Sequence, residues 1–134
     1  MQIIVVENYD EMSLRGAEIL ASVVKEKPSA TLGLATGTTP IGAYRELIRR
    51  YERGEISFRL VHTVNLDEYV GLDGLNPHSY RYFMQNELFS HVDIDVSNTQ
   101  VPPGVPADLA AECRRYTQML ADTPQDIQLL GLGS

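Results

Sequence analysis

Residues 60–72 read LVHTVNLDEYVGL, and this stretch decides the fold class. Its first half, Leu60–Leu66, is an apolar run rich in β-branched residues, which is typical of a buried strand. Asp67 and Glu68 follow the predicted strand directly. In an open α/β sheet ligands bind outside the carboxyl ends of the strands, so a carboxylate at this place is a candidate general base.

The two neighbouring acids are expected to have different roles. Successive strand residues point to opposite faces of a sheet, so Asp67 and Glu68 should not face the same ligand atoms. We therefore take Asp67 as the candidate base and Glu68 as a supporting residue. From this stretch alone, an acid that caps a turn or the next helix remains an open alternative.

Strands and helices alternate on both sides of this stretch. Apolar runs predict three further strands, at Ile3–Val6, Ala30–Ala35 and Ile127–Leu132. Apolar residues at helical spacing predict four helices, which begin near Asp10, at Pro40 after a Thr39 cap, at Asn76-Pro77, and near Leu109. The order predicts an α/β fold, a Rossmann-like parallel sheet flanked by helices, and one α/β domain over residues 1–134.

The sequence finishes at Gly131-Leu132-Gly133-Ser134, a glycine-rich turn after a predicted buried strand. In a parallel sheet, such a turn should open a ligand-facing loop and a covering helix. The domain is therefore expected to be incomplete, and the chain to be the amino-terminal part of a longer one. A natural stop codon directly after Ser134 would contradict this expectation.

Composition and charge exclude several classes of function. The 134 residues are 43% hydrophobic and 22% charged, as in soluble globular proteins. A formal charge of −7 argues against nucleic-acid binding, and four arginines on one predicted helix, Arg45, Arg49, Arg50 and Arg53, are interpreted as a solvated face. No apolar run approaches the ~18 residues of a membrane span, and no signal peptide is evident, so a cytoplasmic protein is expected.

The cysteine and histidine residues predict neither a disulfide nor a metal site. A single cysteine, Cys113, cannot form an intramolecular disulfide, and its place on an apolar helical stripe predicts that it packs in the core. His62, His78 and His91 have no ligand spacing between them, so no metal is expected.

A second motif precedes the predicted helix at Pro40. Residues 33–40 read GLATGTTP, a strand followed by a turn of small residues and a helix start. Helix amino termini bind anions through unpaired N–H groups, so Thr36, Gly37, Thr38 and Thr39 form a candidate phosphate site. No lysine follows the glycine, so the turn is not a Walker A loop. A threonine-capped helix without a ligand explains the turn equally well.

The predicted topology brings Asp67 and this turn to the same edge of the sheet. Adjacent strands lie ~5 Å apart, so a hexose phosphate can reach the turn with its phosphate and Asp67 with its other end. The chemistry that fits a carboxylate beside such a sugar is proton abstraction next to a carbonyl carbon.

The motifs resemble those of the glucosamine-6-phosphate deaminase family, also described as glucosamine/galactosamine-6-phosphate isomerases. The similar segments are Gly33–Gly37 with Thr39-Pro40, Thr63–Leu72, Ser79-Tyr80, Ala111–Tyr116 and Ile127–Gly133. The resemblance implies amino-sugar catabolism, in which a hydrolase of the isomerising type converts glucosamine 6-phosphate and water to fructose 6-phosphate and ammonia without a cofactor. It also implies that Asp67 takes the C2 proton, that Thr36–Thr39 hold the phosphate, and that Glu68 and Tyr69 support them.

Two departures from the family pattern stand out. Many members carry a second glycine where this chain has Thr38, so the turn is expected to have a different shape. The family's ring-opening histidine and its acidic partners follow the Gly-x-Gly turn, beyond these 134 residues. The 134-residue chain by itself is therefore expected to be inactive.

Three alternatives to the deaminase remain. The related 6-phosphogluconolactonases typically carry Asp-Glu-Arg, where this chain has Asp67-Glu68-Tyr69, so Tyr69 opposes a lactonase. A non-catalytic sugar-phosphate sensor would require a DNA-reading module, which an acidic chain that begins with a predicted strand does not provide. A truncated relic that only binds ligand is the third. The sequence does not indicate an oligomeric state.

Overall fold

The computed structural model describes residues 1–132, which form a parallel four-stranded sheet flanked by helices. The strands are β1 Thr31–Leu34, β2 His62–Asn65, β3 Thr99–Gln100 and β4 Ile127–Gln128, in the order β3-β2-β1-β4. The helices are α1 Tyr9–Glu26, α2 Ile41–Glu52, α3 Tyr80–Glu87 and α4 Leu109–Asp122, with 3₁₀ turns at Phe89–His91 and Val96–Asn98. The predicted fold class is confirmed.

Strand β1 lies in the centre of the sheet and is buried along its whole length. It pairs with β2 on one side, where Leu34 is opposite Asn65, and with β4 on the other, where Leu32 is opposite Ile127. The carboxyl ends of β1 and β2 therefore lie side by side, and the loops that follow them meet at one edge.

The core is formed mainly by apolar side chains of α1, α2 and β1. Leu20, Leu32, Tyr44 and Leu47 are at most 2% exposed, and full burial of a side chain of this size stabilises a protein by roughly 1.5–3 kcal/mol. Helices α1 and α2 approach closely, because a Cβ on Gly16 would lie 3.8 Å from the Ala43 methyl group. This packing fixes the amino end of α2 against the sheet.

The predicted first strand, Ile3–Val6, is wrong. Ile3 is 74% exposed and Val5 89% exposed, and the segment pairs with no strand among residues 1–132. Without a hydrogen-bonded neighbour, an apolar run does not form a strand. The other three predicted strands exist but are shorter than expected, since regular pairing stops before the loops. Gly133 and Ser134 of the glycine-rich turn lie outside the described residues.

Three predicted helix starts are displaced by one to three residues. Helix α1 is capped by Asn8, whose side chain accepts from the Glu11 N–H at 2.8 Å, and not by Asp10. Helix α3 is capped by Ser79, whose hydroxyl accepts from the Tyr82 N–H at 3.0 Å. Asn76 instead accepts from the His78 N–H in the preceding turn.

Helix α2 begins at Ile41, one residue later than predicted, and has no side-chain cap. Pro40, not Thr39, is the cap residue, and its backbone is already helical, with φ −80° and ψ −9°. The first N–H groups of α2 therefore depend on other partners.

Cys113 is exposed, so its predicted place in the core is wrong. Tyr116, which is 6% exposed, is the buried residue of α4, and Cys113, one turn earlier on the same face, is not covered by any described residue.

Arginines of α2 surround a buried acid rather than forming a free basic face. Arg49, Arg50 and Arg53 lie 2.9–3.7 Å from the Glu46 carboxylate. Burial opposes ionisation of Glu46, but the three guanidinium groups together lower its pKa. Within residues 1–132, no helix is long and apolar enough to cross a membrane.

Candidate active site

The loop between β1 and α2, residues 35–40, contains the predicted phosphate turn. Gly37 has φ +95°, which residues with a Cβ rarely adopt, so glycine is required here by the backbone alone. Thr38 has a negative φ, so the threonine that replaces the family's second glycine causes no strain. The N–H groups of Thr36, Gly37, Thr38 and Thr39 donate to no other described residue. Such consecutive free donors form an anion-binding concavity.

Two tyrosine hydroxyls hold this turn at its ends. Tyr44 donates to the carbonyl oxygen of Ala35 and accepts from its N–H at 3.0 Å. Burial raises the pKa of Tyr44 well above the ordinary value, so the hydroxyl remains a donor. Tyr9, in the first turn of α1, donates to the Thr38 carbonyl oxygen at 2.9 Å and accepts from the Gly42 N–H at 2.9 Å.

The end of β2 is fixed before Asp67 by bonds to its neighbours. The Asn65 amide donates to the Leu34 carbonyl oxygen at 3.2 Å, which joins the ends of β1 and β2. The Tyr116 hydroxyl lies 2.6 Å from the Asn65 carbonyl oxygen and 3.1 Å from that of Gln100. Burial raises the pKa of Tyr116 to about 12. The backbone is therefore fixed by hydrogen bonds up to Asn65, directly before Leu66 and Asp67 leave the sheet.

Glu68 turns away from Asp67 and caps helix α3. Its carboxylate accepts from the N–H groups of Tyr69, Tyr80 and Arg81 at 2.8–2.9 Å. A carboxylate at a helix amino terminus also interacts favourably with the helix dipole. The two acids thus differ in surroundings as predicted, although β2 ends at Asn65 and the loop, not strand alternation, separates them.

Tyr69 and Tyr80 form an aromatic pair next to these acids. Their ring centroids are 4.7 Å apart, with the planes inclined at 45°. The pKa of Tyr80 is raised, chiefly by its hydrogen bond with Tyr69 and further by burial and the charge of Asp67. Tyr80 opens helix α3, and its backbone N–H donates to the Glu68 carboxylate, so the aromatic pair lies next to the loop that contains Asp67.

One cleft joins the predicted phosphate turn to the predicted base. It has a volume of about 900 Å³, within the usual range for small-molecule sites. Its lining consists of α1 residues Met12, Ser13 and Gly16, Leu34, residues 35–40, Ala43, Leu66, Asp67 and residues 128–131. Asp67 and Thr36–Thr39 are thus brought together, whereas Glu68 and Tyr69 lie outside the lining.

Gln128 is a cleft residue that the sequence did not suggest. Its side-chain oxygen is buried and accepts no hydrogen bond from any described residue, while its amide donates to the Leu129 carbonyl oxygen at 2.9 Å. A Cβ on Gly33 would lie 1.9 Å from that oxygen, so glycine in β1 makes room for the Gln128 side chain. The Gln128 side-chain oxygen is therefore packed against Gly33 and is buried rather than open to the cleft.

The cleft combines a set of free N–H groups, which can donate to a phosphate, with the Asp67 carboxylate. Across the part of the chain that the structure describes, no three His, Cys, Asp or Glu residues cluster as a metal site. The arrangement can bind a phosphate at one end and remove a proton at the other.

Comparison with known proteins agrees with this geometry. Residues 7–134 match the family of glucosamine-6-phosphate isomerases and 6-phosphogluconolactonases. The chain belongs to this family.

Curated members of the glucosamine-6-phosphate isomerase/6-phosphogluconolactonase family are close in sequence. The chain is 49% identical to glucosamine-6-phosphate deaminase of Geobacillus sp. (strain WCH70), over 99% of this chain and 53% of that protein. It is 50% identical to glucosamine-6-phosphate deaminase of Clostridium perfringens (strain 13 / Type A), over 100% of this chain and 56% of that protein. The chain spans about half the length of the curated relatives it matches.

Solved structures of the family share the fold. A monomeric glucosamine-6-phosphate deaminase of the NagB superfamily superposes with a TM-score of 0.96 at 47% identity, over 99% of this chain and 56% of that one. A 6-phosphogluconolactonase from Thermotoga maritima gives a TM-score of 0.75 at 19% identity, over 98% of this chain and 59% of that one. The second likeness shows the fold alone.

Proposed function

We propose that the protein acts in amino-sugar catabolism, where it converts glucosamine 6-phosphate and water to fructose 6-phosphate and ammonia. The observation that carries the proposal is the shared cleft, in which Asp67 and four free N–H donors, Thr36–Thr39, lie at one edge of the sheet. The names of relatives at 49–50% identity support the same substrate. The reaction is proposed to use no cofactor.

The phosphate is proposed to bind the turn. Hydrogen bonds to a charged group are worth roughly 1.5–3 kcal/mol each, so two or three of the free N–H groups would hold a sugar phosphate. The hydroxyls of Thr36, Thr38 and Thr39 add further donors. The overall charge of −7 does not prevent this, because local donors determine the potential at the site.

Asp67 is proposed as the base of the isomerisation. In the open-chain sugar it takes the proton from C2, and the electron pair of the C–H bond forms a double bond between C1 and C2. The π pair of the C1 carbonyl moves to its oxygen at the same time, and that oxygen takes a proton and becomes a hydroxyl. Return of the proton to C1 leaves a C2 imine, which water hydrolyses to the ketone with release of ammonia. The amino group leaves hydrolytically, while the carbonyl moves from C1 to C2.

Glu68 and Tyr69 are proposed as supporting residues. Both oxygens of Glu68 accept hydrogen bonds from backbone N–H groups, three in all. Glu68 can therefore hold the loop that contains Asp67, and its oxygens are already occupied by the protein. The Tyr69 ring packs against that of Tyr80, at 4.7 Å between centroids. Both residues act on Asp67 through the loop rather than on the sugar.

A 6-phosphogluconolactonase-like hydrolase is the second candidate, because the family includes such enzymes. Tyr69, at the position where lactonases typically carry arginine, favours the deaminase. A non-catalytic sugar-phosphate sensor would use the same turn without proton transfer, and the exchange experiment below separates it from an enzyme.

We propose this activity for a protein that is as long as the curated relatives, of which these 134 residues span about half. One domain, a cytoplasmic location and inactivity of the 134 residues by themselves stay predictions.

Asp67→Asn tests the general base. We expect C2-proton exchange with solvent to fall ~10²–10⁴-fold, since a positioned base contributes about that much, while binding of glucosamine 6-phosphate is kept. The assay follows loss of deuterium from C2-labelled substrate by nuclear magnetic resonance, in the longest natural reading frame that contains these residues.

Asp73→Asn is the matched control. Its carboxylate accepts only from the Leu75 N–H in the next loop, and it does not line the cleft. Unchanged exchange in Asp67→Asn would overturn the assignment of the base, and absence of exchange with bound substrate in the wild-type protein would favour the sensor.

A further inference from the structure

The Tyr9 hydroxyl joins the phosphate turn to the first turn of helix α2 from outside the cleft. It donates to the Thr38 carbonyl oxygen and accepts from the Gly42 N–H, each at 2.9 Å. Tyr9 lines a separate groove between α1 and α2, and it is absent from the lining of the cleft. It therefore touches the turn on the side opposite to the ligand.

The bond to Thr38 determines which way one peptide group faces. In a planar trans peptide, the C=O of one residue and the N–H of the next point in opposite directions, and the structure contains no cis peptide among residues 1–132. Because the Thr38 carbonyl points to Tyr9, the Thr39 N–H points away from Tyr9 and toward the cleft side. If this peptide rotated, a carbonyl oxygen would face the phosphate and repel it.

The bond from Gly42 completes the amino terminus of α2. Pro40 has no N–H and provides no side-chain cap, and the Ile41 N–H reaches the Thr38 carbonyl only at 3.4 Å. The Tyr9 hydroxyl thus takes the place of a cap that the loop itself lacks. One side chain, 46% exposed, holds both the turn and the helix start.

We propose that Tyr9 is a positioning residue that keeps the Thr38–Thr39 peptide oriented for phosphate. The proposal rests on the phosphate site of the proposed function. It assigns Tyr9 no contact with the substrate, because the hydroxyl already has both of its partners within the protein.

Tyr9→Phe tests the proposal in the 134-residue chain and in the longest natural reading frame that contains it. Loss of one hydrogen-bonding hydroxyl predicts about a three- to tenfold weaker affinity for inorganic phosphate and for glucosamine 6-phosphate alike. Titration is followed on the backbone amides by nuclear magnetic resonance, where the phosphate-induced shift of the Thr39 amide should shrink most. Hydrogen exchange at the Gly42 amide should accelerate.

Tyr51→Phe is the matched control. It removes a hydroxyl near the other end of α2 that makes no hydrogen bond with any described residue, and it should leave phosphate affinity unchanged. The melting temperatures of both variants show whether a loss of affinity reflects unfolding.

The outcomes separate the two proposals. Equal phosphate affinity in Tyr9→Phe and wild type overturns the positioning role and leaves the phosphate site intact. Equal weakening in both variants, or a Tyr9→Phe loss that follows only from unfolding, also overturns it. If the wild-type protein binds neither phosphate nor sugar phosphate, both as the 134-residue chain and as the longest natural reading frame, the phosphate site of the proposed function is overturned. The role of Tyr9 is then overturned with it.

Discussion

At the scale of single residues, tyrosine hydroxyls organise the ends of the strands. Tyr44 holds Ala35 after β1, Tyr9 holds the turn that follows, and Tyr116 holds Asn65 at the end of β2. Each hydroxyl binds backbone groups that regular pairing leaves unsatisfied, and such groups are costly when buried. The loops of the cleft are therefore fixed by side chains from three different helices.

Tyr116→Phe should destabilise the protein measurably. It removes the donor to the buried Asn65 carbonyl oxygen, so we expect the free energy of unfolding to fall by about 1–2 kcal/mol. Urea denaturation followed by circular dichroism measures the change. Tyr82→Phe, which deletes a hydroxyl with no hydrogen bond to the described residues, is the control; equal losses in both variants would contradict the role of Tyr116.

The sequence predicted residues whose partners are near in the chain, and it missed residues whose partners are distant. Asp67 and Thr36–Thr39 were recognisable because a strand, a turn and a helix start follow one another locally. Tyr9 lies 29 residues from Thr38, and Tyr116 lies 51 residues from Asn65. No local pattern marks such partners, since only the packing of α1 and α4 on the sheet brings them together.

At the scale of elements, helix α3 depends on a cap from outside its own sequence. Ser79 satisfies one N–H of its first turn, and Glu68, twelve residues before the helix, satisfies two. The sequence predicted the helix but placed its cap at Asn76, because Asn76-Pro77 has the pattern of a cap followed by a first helical proline, while the contribution of Glu68 leaves no local signature. The hydrogen bonds of Glu68 consequently join the start of helix α3 to the loop that contains Asp67.

Glu68→Gln tests this connection between the loop and the helix. Glutamine has one acceptor oxygen and an NH₂ group, so at least one of the three bonds is lost together with the favourable charge at the helix terminus. We expect the free energy of unfolding to fall by about 1–2 kcal/mol in urea denaturation. Glu18→Gln, which removes only an exposed partner of Arg15, should change it by less than about 0.5 kcal/mol. No difference between the two variants would argue against the cap.

At the scale of the whole molecule, Asp126 links α1, β1 and β4. Its carboxylate accepts from the Thr31 N–H at 2.8 Å and lies 3.0 Å from the Lys27 ammonium group. The hydrogen bond from Thr31, followed by that from Lys27, lowers the pKa of Asp126. Since the folded pKa is depressed, the group stabilises the fold above its ordinary pKa and ceases to do so as the pH falls through the folded value.

In Asp126→Asn, the free energy of unfolding should therefore fall less between neutral and acidic pH than it does in the wild-type protein. The ordinary pKa of aspartate is about 3.9, so the variant should be less stable than wild type at neutral pH, and the difference should shrink below roughly pH 4. Urea midpoints measured from neutral to acidic pH report this directly. Asp122→Asn, whose parent carboxylate binds only the Gln118 side chain, is the control. A difference between Asp126→Asn and wild type that stays constant with pH would refute the link.

The sheet as a whole was predictable, and its margins were not. Alternation of apolar runs and helical stripes predicted a parallel sheet, because each short strand must be followed by a crossover. Ile3–Val6 has the pattern of a strand but forms none, since an apolar run indicates burial only where a neighbouring strand pairs with it. The sequence placed Asp67 and Thr36–Thr39 at one edge of the sheet, and they line one cleft, because both follow neighbouring parallel strands.

The pairing of Tyr69 with Tyr80 also gives the protein a built-in optical probe. The chain has seven tyrosines and no tryptophan, so its near-ultraviolet emission comes from tyrosine alone. Two of the seven rings stand in contact beside Asp67, at 4.7 Å between centroids. Because the Glu68 carboxylate bonds the backbone N–H groups of both Tyr69 and Tyr80, these two fluorophores report on the loop that carries Asp67 without an attached dye.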